Sequence, residues 1–296
     1  MLAGTVSFVG ICARCVNDFL GKNGPQLAAA ISFYALLSLV PLAVAIIFGL
    51  SFFLEPSSME DLAQRAAQQA PVSERTISDV LTSTLNSRSL AGFAGIIGLL
   101  WAGTAVFSAI RKGINATWGI TKPRPFLQER LIDISLMLGA AILMLVSIFS
   151  PAFLKEMLES ITRETHVNGD FLWDRLASLI SLTLSFIVFW GIYWFIPNTK
   201  VRLREALPGA IAATIVFAVV KSMFVWYVRN YSMYTTVYGS VGSIVALLTW
   251  VYISAVILLF GSLITSRYAA YRSAKERELE DIIEIATTGP QPVSRR

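Results

Sequence analysis

The side chains with the strongest intrinsic chemistry are few in this sequence of 296 residues. Cys12 and Cys15 form one C-x-x-C pair with no second pair, and His166 is the only histidine. Zinc and redox sites need more ligands, or a βαβ context around such a pair. We therefore interpret the cysteines as small helix residues, with a metal or redox site as the alternative. The sequence predicts no metal, no cofactor and no enzymatic activity.

Lys221 interrupts an otherwise apolar segment that runs from Ala206 to Val228. A lysine near the end of a membrane helix can extend its ammonium group to the interface, which is one interpretation of this residue. The other is a cation that lines an internal cavity and meets an anionic group such as a lipid phosphate.

Four tyrosines follow at the spacing of one helix face, and a glycine ends that helix. They are Tyr227, Tyr231, Tyr234 and Tyr238, followed by Gly239. Such a row is typical of the aromatic belt at a membrane surface, here the outer one. The alternative is that the rings line an access route from the outer leaflet. At the inner surface we expect a belt of Trp190, Tyr193 and Trp194.

Pro41 lies in the middle of the first apolar segment and predicts a kink, because it removes one backbone hydrogen bond to the carbonyl of Leu37. Ser38 can help to satisfy the freed carbonyls. Together with Ser32 and Tyr34 it gives this helix polar groups that must face protein or a wet cavity.

Acidic residues are missing from every apolar segment, and Asp133 lies only at the edge of the third one. Transporters driven by protons or sodium usually place an ionisable or unwound site near the membrane midplane. The pattern therefore disfavours a secondary active transporter. No G-x-x-x-x-G-K-[ST] motif is present, which disfavours an ATPase.

The composition indicates a membrane protein, because 55% of the residues are hydrophobic and only 15% are charged. Long apolar segments exclude barrel strands, so we predict an all-α, polytopic protein with six transmembrane helices. The predicted spans are residues 28–54, 89–110, 134–154, 176–196, 206–228 and 239–265.

The distribution of Lys and Arg predicts that both termini are cytoplasmic, since 16 of the 24 fall on the side of the termini. Residues 1–27 form an amphipathic cytoplasmic segment in this interpretation, and residues 266–296 form a charged tail, partly disordered. The loops at 55–88 and 155–175 are expected to carry amphipathic helices on the outer surface. Topology accounts for the basic loops, so we predict no nucleic-acid partner.

Four stretches are typical of one known family, namely residues 28–41 (AAAISFYALLSLVP), 101–118 (WAGTAVFSAIRKGINATW), 196–210 (IPNTKVRLREALPGA) and 238–252 (YGSVGSIVALLTWVY). With them the chain resembles the YihY/BrkB family of bacterial inner-membrane proteins, long labelled "ribonuclease BN". The matching positions are Trp101, Asn115, Trp118, Pro197, Asn198, Gly209, Gly239, Trp250 and Gly261. Where the family often has Glu, this chain has Leu263, so no role of that Glu is carried over.

The resemblance implies six spans with cytoplasmic termini, and it brings associations with serum resistance and envelope lipid export. It implies that the ribonuclease label is a misattribution. Our first hypothesis is a transporter or flippase of a lipid or another anionic amphipathic envelope molecule, with a path between the first, fifth and sixth spans. The alternative is a scaffold that binds an envelope protein through its outer helices. Membrane lipids are the expected partners, an anionic lipid among them, and a homo-oligomer is left open.

Overall fold

A computed structural model describes residues 8–50, 88–121, 124–140, 142, 169–230 and 242–288. Over these residues the regular structure is entirely helical, which confirms the all-α prediction. The helices are α1 (Phe8–Gly21), α2 (Gly24–Leu50), α3 (Arg88–Trp118), α4 (126–140), α5 (Gly169–Phe195), α6 (Leu203–Asn230) and α7 (Gly242–Thr288).

Three helical stretches of the described chain are long and apolar enough to cross a membrane. They are Ser178–Phe195, Leu203–Tyr227 and Ile244–Glu280, and Gly24–Leu39 is a shorter apolar stretch. The three coincide with the fourth, fifth and sixth predicted spans. The total of six stays a prediction, because the far end of the third span and most of both outer loops lie outside the described residues.

The last helix organises the bundle. Helix α7 packs against α2 and α3 on one side and against α6 on the other, while α2 also packs on α3 and α5 packs on α6. Helix α7 therefore separates α2 from the α5–α6 pair. It continues as a helix through the tail as far as Thr288.

Two buried apolar clusters share α7. The first is Phe19, Ala28, Ile31, Ile114, Ile196, Ala255, Leu259 and Leu263. The second is Phe189, Tyr193, Val201, Ala206, Ala210, Ala213 and Ile257. Large apolar side chains also lie exposed along α4, α5 and α6, as expected where lipid rather than water surrounds a helix.

The N-terminal helix is anchored to the bundle by one aromatic side chain. Phe19 is buried in the first cluster and meets Phe260 edge-on, with 5.8 Å between ring centroids. The turn after α1 places Asn23 at a φ of 56° and Gly24 against the ring of Phe19, where any Cβ would overlap it. Val16 and Leu20 remain exposed, as a helix at a membrane surface requires.

Helices α6 and α7 cross at two glycines. A Cβ added at Gly209 would overlap the carbonyl oxygen of Gly261 and Oγ1 of Thr265. One added at Gly261 would overlap the hydroxyl of Tyr193 and lie 2.9 Å from Cβ of Ala213. Small residues allow this close backbone approach, which favours packing between helices in lipid.

We expect Gly209→Ala to destabilise the protein by about 1–3 kcal/mol, because the added methyl group meets the backbone carbonyl of Gly261 as well as Oγ1 of Thr265, and the backbone atom cannot rotate away. Gly191→Ala is the matched control, since Gly191 lies inside α5 with open space around it. That change should be neutral or stabilise by up to about 1 kcal/mol. Unfolding by SDS titration measures both, and equal stability of the two variants would contradict the close crossing.

Candidate functional site

Lys221 is an exposed residue of α6 at the seam with α5. Its Nζ donates a hydrogen bond of 3.2 Å to Oγ of Ser181 on α5. The two helices run antiparallel, and the rings of Phe189 and Phe217 meet at 5.7 Å between centroids. In that register Ser181 lies about 6 Å, or one turn, nearer the N-terminal end of α5 than the α5 residue opposite Lys221. The ammonium group therefore reaches sideways and toward the C-terminal end of α6.

A row of serines on α5 makes this seam polar. Ser178, Ser181 and Ser185 follow the spacing of one helix face. Ser185 Oγ donates to the carbonyl of Ser181 at 2.8 Å. Hydroxyls of this kind satisfy themselves on the helix backbone and still accept a donor such as Lys221.

The polar groups of α2 lie elsewhere, across α7. Ser32 is buried and donates to the carbonyl of Ala29 at 2.9 Å, whereas Tyr34 is exposed. Ser38 donates to the carbonyl of Ala35 at 2.7 Å, and the helix continues through Pro41 to Leu50. The structure thus places Lys221 next to the fourth predicted span, which the expected path did not include.

The tyrosine row is described only at its start. Tyr227 is partly exposed at the outer end of α6. Tyr231, Tyr234, Tyr238 and Gly239 lie outside the described residues, so their predicted roles stay predictions.

Three of the family-motif positions meet where the end of α3 lies against the connection from α5 to α6. Oδ1 of Asn115 on α3 accepts the backbone N–H of Asn198 at 2.8 Å. Arg124 donates Nε to Oδ1 of Asn198 at 2.5 Å and Nη2 to the carbonyl of Pro197 at 3.0 Å. These bonds join the α5–α6 connection to α3 and to the segment before α4. This geometry indicates a structural role, because the polar groups of Asn115, Arg124 and Asn198 form hydrogen bonds with neighbouring protein groups.

Trp118 and Leu263 lie in the same region. Trp118 packs against both apolar clusters, and its Nε1 is the buried side-chain nitrogen without a hydrogen-bond partner among the described residues. Thr117 and Ser262, both fully buried, share a hydrogen bond of 2.8 Å. Leu263 is fully buried in the first cluster, where an apolar side chain needs no partner.

The remaining motif positions serve packing or face outward. Gly209 and Gly261 form the α6–α7 crossing described above. Trp250 on α7 contacts Phe217 and Phe224 of α6, with ring centroids at 5.5 and 4.9 Å. Trp101 is 69% exposed on α3 and joins none of these groups.

The expected inner belt is wrong for one of its three aromatic residues. Trp194 is exposed, and Trp190 donates Nε1 to the carbonyl of Leu203 at 3.0 Å. Tyr193 instead is fully buried in the second cluster, and its hydroxyl donates to the carbonyl of Leu258 at 2.9 Å. The sequence offered no sign of this carbonyl partner, because it depends on the α5–α7 contact.

Basic residues hold the first helix to the end of the bundle. Lys22 donates to the carbonyl of Thr117 in the last turn of α3 at 2.5 Å, where a helix attracts a cation. Arg267 of α7 forms an ion pair with Asp18 of α1. Burial and, second, the charge of Arg267 lower the pKa of Lys22, and Asp18 opposes them.

A buried ion-pair cluster joins α3 to α4, and sequence reasoning missed it. Arg111 Nε and Nη2 donate to the two carboxylate oxygens of Asp133 at 3.0 and 3.3 Å. Nη1 of Arg111 lies 2.7 Å from Oε1 of Glu129. The side chains of Arg111 and Asp133 are 4% and 1% exposed. The acids at positions 129 and 133 share one helix face, the only sequence signal that could have indicated the cluster.

In the described ranges no group of three or more His, Cys, Asp or Glu is arranged to hold a metal ion. Arg111, Glu129 and Asp133 form ion pairs with one another, as in a structural ion-pair cluster.

The helices and their apolar surfaces define a polytopic helical membrane protein. The chain belongs to the BrkB family, since residues 15–281 match the family described as "Virulence factor BrkB".

Curated relatives agree with this membership. The ribonuclease-like protein YfkH of Bacillus subtilis (strain 168) is 31% identical over 244 residues, which are 81% of this chain and 88% of that protein. A UPF0761 membrane protein of Xanthomonas oryzae is 29% identical over 276 residues, 93% of this chain. This chain spans only 63% of the length of that relative. No solved structure matches the chain.

We expect Arg111→Met to lower the free energy of unfolding by about 3–5 kcal/mol, because it leaves the buried carboxylate of Asp133 without its partner. Lys112→Met is the control, since Lys112 is the next residue along the same helix and is exposed. It should change stability by less than about 0.5 kcal/mol. SDS titration of the purified variants checks this, and a wild-type midpoint for Arg111→Met would show that the ion pair contributes nothing.

Proposed function

We propose that the chain is a transporter, of flippase type, for a lipid or another anionic amphipathic molecule of the bacterial inner membrane. The family consists of membrane proteins by the names of the relatives, which supports the setting of this function. The name of YfkH belongs to that relative, and our proposal for this chain is a protein without enzymatic activity.

The position of Lys221 carries the proposal. It is an exposed cation on an apolar helix, six residues before Tyr227, where the spanning stretch ends. That distance is about 9 Å along the helix axis. Its bond to Ser181 directs the ammonium group outward, to the depth at which the phosphates of outer-leaflet lipids meet the hydrocarbon. A phosphate there gains a charge-assisted hydrogen bond in surroundings of low dielectric constant.

The serine row extends this contact along α5. A headgroup that meets Lys221 can take hydrogen bonds from Ser181 or Ser185, while its acyl chains lie against the exposed apolar residues of α5 and α6. Exposed apolar residues adjoin the polar ones, since Val225 lies four residues after Lys221 on α6 and Leu182 lies four residues after Ser178 on α5. This amphipathic surface supports a lipid as the substrate class. We therefore place the headgroup site at the α5–α6 seam and not beside Pro41.

Native mass spectrometry of the detergent-purified protein tests the site. We expect phosphatidylglycerol to be enriched over the bulk membrane in the wild type, and to be reduced about tenfold in Lys221→Gln, because one hydrogen bond to a charged group is lost. Lys221→Arg keeps the charge and should keep the lipid. Bound lipids that match the bulk membrane in all three proteins would contradict the site.

Transport itself needs vesicles. Proteoliposomes with NBD-labelled phosphatidylglycerol report, by dithionite quenching, how fast the label moves between leaflets. Movement above that in protein-free vesicles, slowed in Lys221→Gln, is the expected result. The scaffold hypothesis predicts the opposite pattern in cells, in which deletion of residues 57–88 abolishes function and Lys221→Gln does not.

A further inference from the structure

Helix α4 carries an exposed apolar stripe that begins before the third predicted span. Leu127, Leu131 and Leu138 are 75%, 65% and 56% exposed, and Ile134 and Ile142 continue the same line. Their spacing is that of one helix face. The stripe therefore starts seven residues ahead of residue 134, where the charges in the sequence placed the membrane boundary. The opposite face carries Glu129 and Asp133, bound to Arg111.

The contacts between α3 and α7 give an independent indication of how deep in the membrane the first half of α4 lies. Gly113 on α3 faces the side chain of Leu259 on α7, and Thr117 bonds to Ser262 one turn further on. The two helices therefore run side by side in the same direction. Arg267 is the first charged residue of α7 and follows a charge-free run that begins at residue 230.

Leu259 precedes Arg267 by eight residues, so Gly113 lies about 12 Å on the membrane side of Arg267. Arg111 lies two residues deeper still. The paired Asp133 is at the same depth, and residue 127, about 9 Å nearer the cytoplasm along α4, is still on the membrane side of Arg267. The exposed stripe of α4 and the contacts between α3 and α7 both argue that the cytoplasmic boundary of the membrane lies nearer to the first residues of α4 than residue 134 does.

We propose that acyl chains of the inner leaflet cover the stripe of α4 from Leu127 onward, so that Arg111, Glu129 and Asp133 form an ion-pair cluster within the hydrocarbon region. The stripe is continuous with the lipid-facing residues Ile134 and Ile142, which argues for lipid as its occupant. Arg130 lies over the ring of Phe126, with 5.3 Å from Cζ to the ring centroid. An arginine and an aromatic ring together are typical anchors at a membrane interface.

With this placement, the part of the bundle within the membrane contains acidic side chains. Two carboxylates lie at membrane depth, although the sequence places them at or beyond the edge of a span. Charged groups within a membrane usually face the protein interior and pair with one another, as Arg111, Glu129 and Asp133 do. Lys112, next to Arg111, is exposed, and a lysine side chain is long enough to extend toward the interface. The inference concerns α3 and α4 and does not depend on transport by the α5–α6 seam.

Spin labels at single cysteines test this placement in the full-length protein. In a Cys12→Ser, Cys15→Ser background, Leu127→Cys and Leu131→Cys are labelled and reconstituted into vesicles of phosphatidylethanolamine and phosphatidylglycerol. Power saturation then gives the ratio of accessibility to oxygen over accessibility to a polar nickel complex. Leu138→Cys is the reference for lipid, and Lys275→Cys, on the exposed tail of α7, is the reference for water.

We expect the ratios at 127 and 131 to lie near that at 138 and at least about threefold above that at 275, because hydrocarbon excludes the polar complex. A ratio equal to that at 275 would place the stripe in water and overturn the proposal. Low accessibility to both reagents would also overturn it, because protein and not lipid would then cover the stripe. Gel filtration checks folding, and Leu127→Cys, at the most exposed position of the stripe, decides alone if the other variant misfolds.

Discussion

The approach of α6 to α7 at Gly209 and Gly261 is the constraint on which the other contacts depend. In lipid no hydrophobic force draws helices together, so close packing and buried hydrogen bonds must hold them. The glycines bring the backbones near enough for Tyr193 of α5 to reach the carbonyl of Leu258. A single crossing thereby fixes three helices.

The helix ends where α5 turns into α6 need a different solution, because the turn exposes backbone groups. Asn115 and Arg124 satisfy the turn at Pro197 and Asn198, and Lys22 satisfies the last turn of α3. These bonds join segments far apart in sequence. The family motifs around Asn115 and Asn198 are therefore explained by architecture, and the polar seam at Lys221 is a separate feature.

The sequence was sufficient for properties that depend on local pattern. The length of the apolar segments predicted helices, and three of the predicted spans coincide with long apolar helices. It was insufficient wherever a partner comes from another helix. From the sequence, Tyr193 is predicted to be a belt residue, but in the structure its hydroxyl is bonded to a carbonyl of α7. Nothing in the sequence around Lys221 indicates that its partner is Ser181. Charge counting also sets a span boundary at the first ionisable residue, and it takes no account of whether that residue is paired inside the protein, as Asp133 is.

Leu263 and Asp133 illustrate two ways in which the protein interior avoids an unpaired buried charge. The resemblance to the family implies a Glu where Leu263 lies, and Leu263 is fully buried among apolar side chains. A carboxylate buried among these apolar side chains would need a cation beside it. Leu263 needs no cation, whereas the buried carboxylate of Asp133 has one in Arg111. Among the described residues, the buried charged side chains are Arg111 and Asp133 of the α3–α4 pair and Glu205 in the first turn of α6, and none of them belongs to α7.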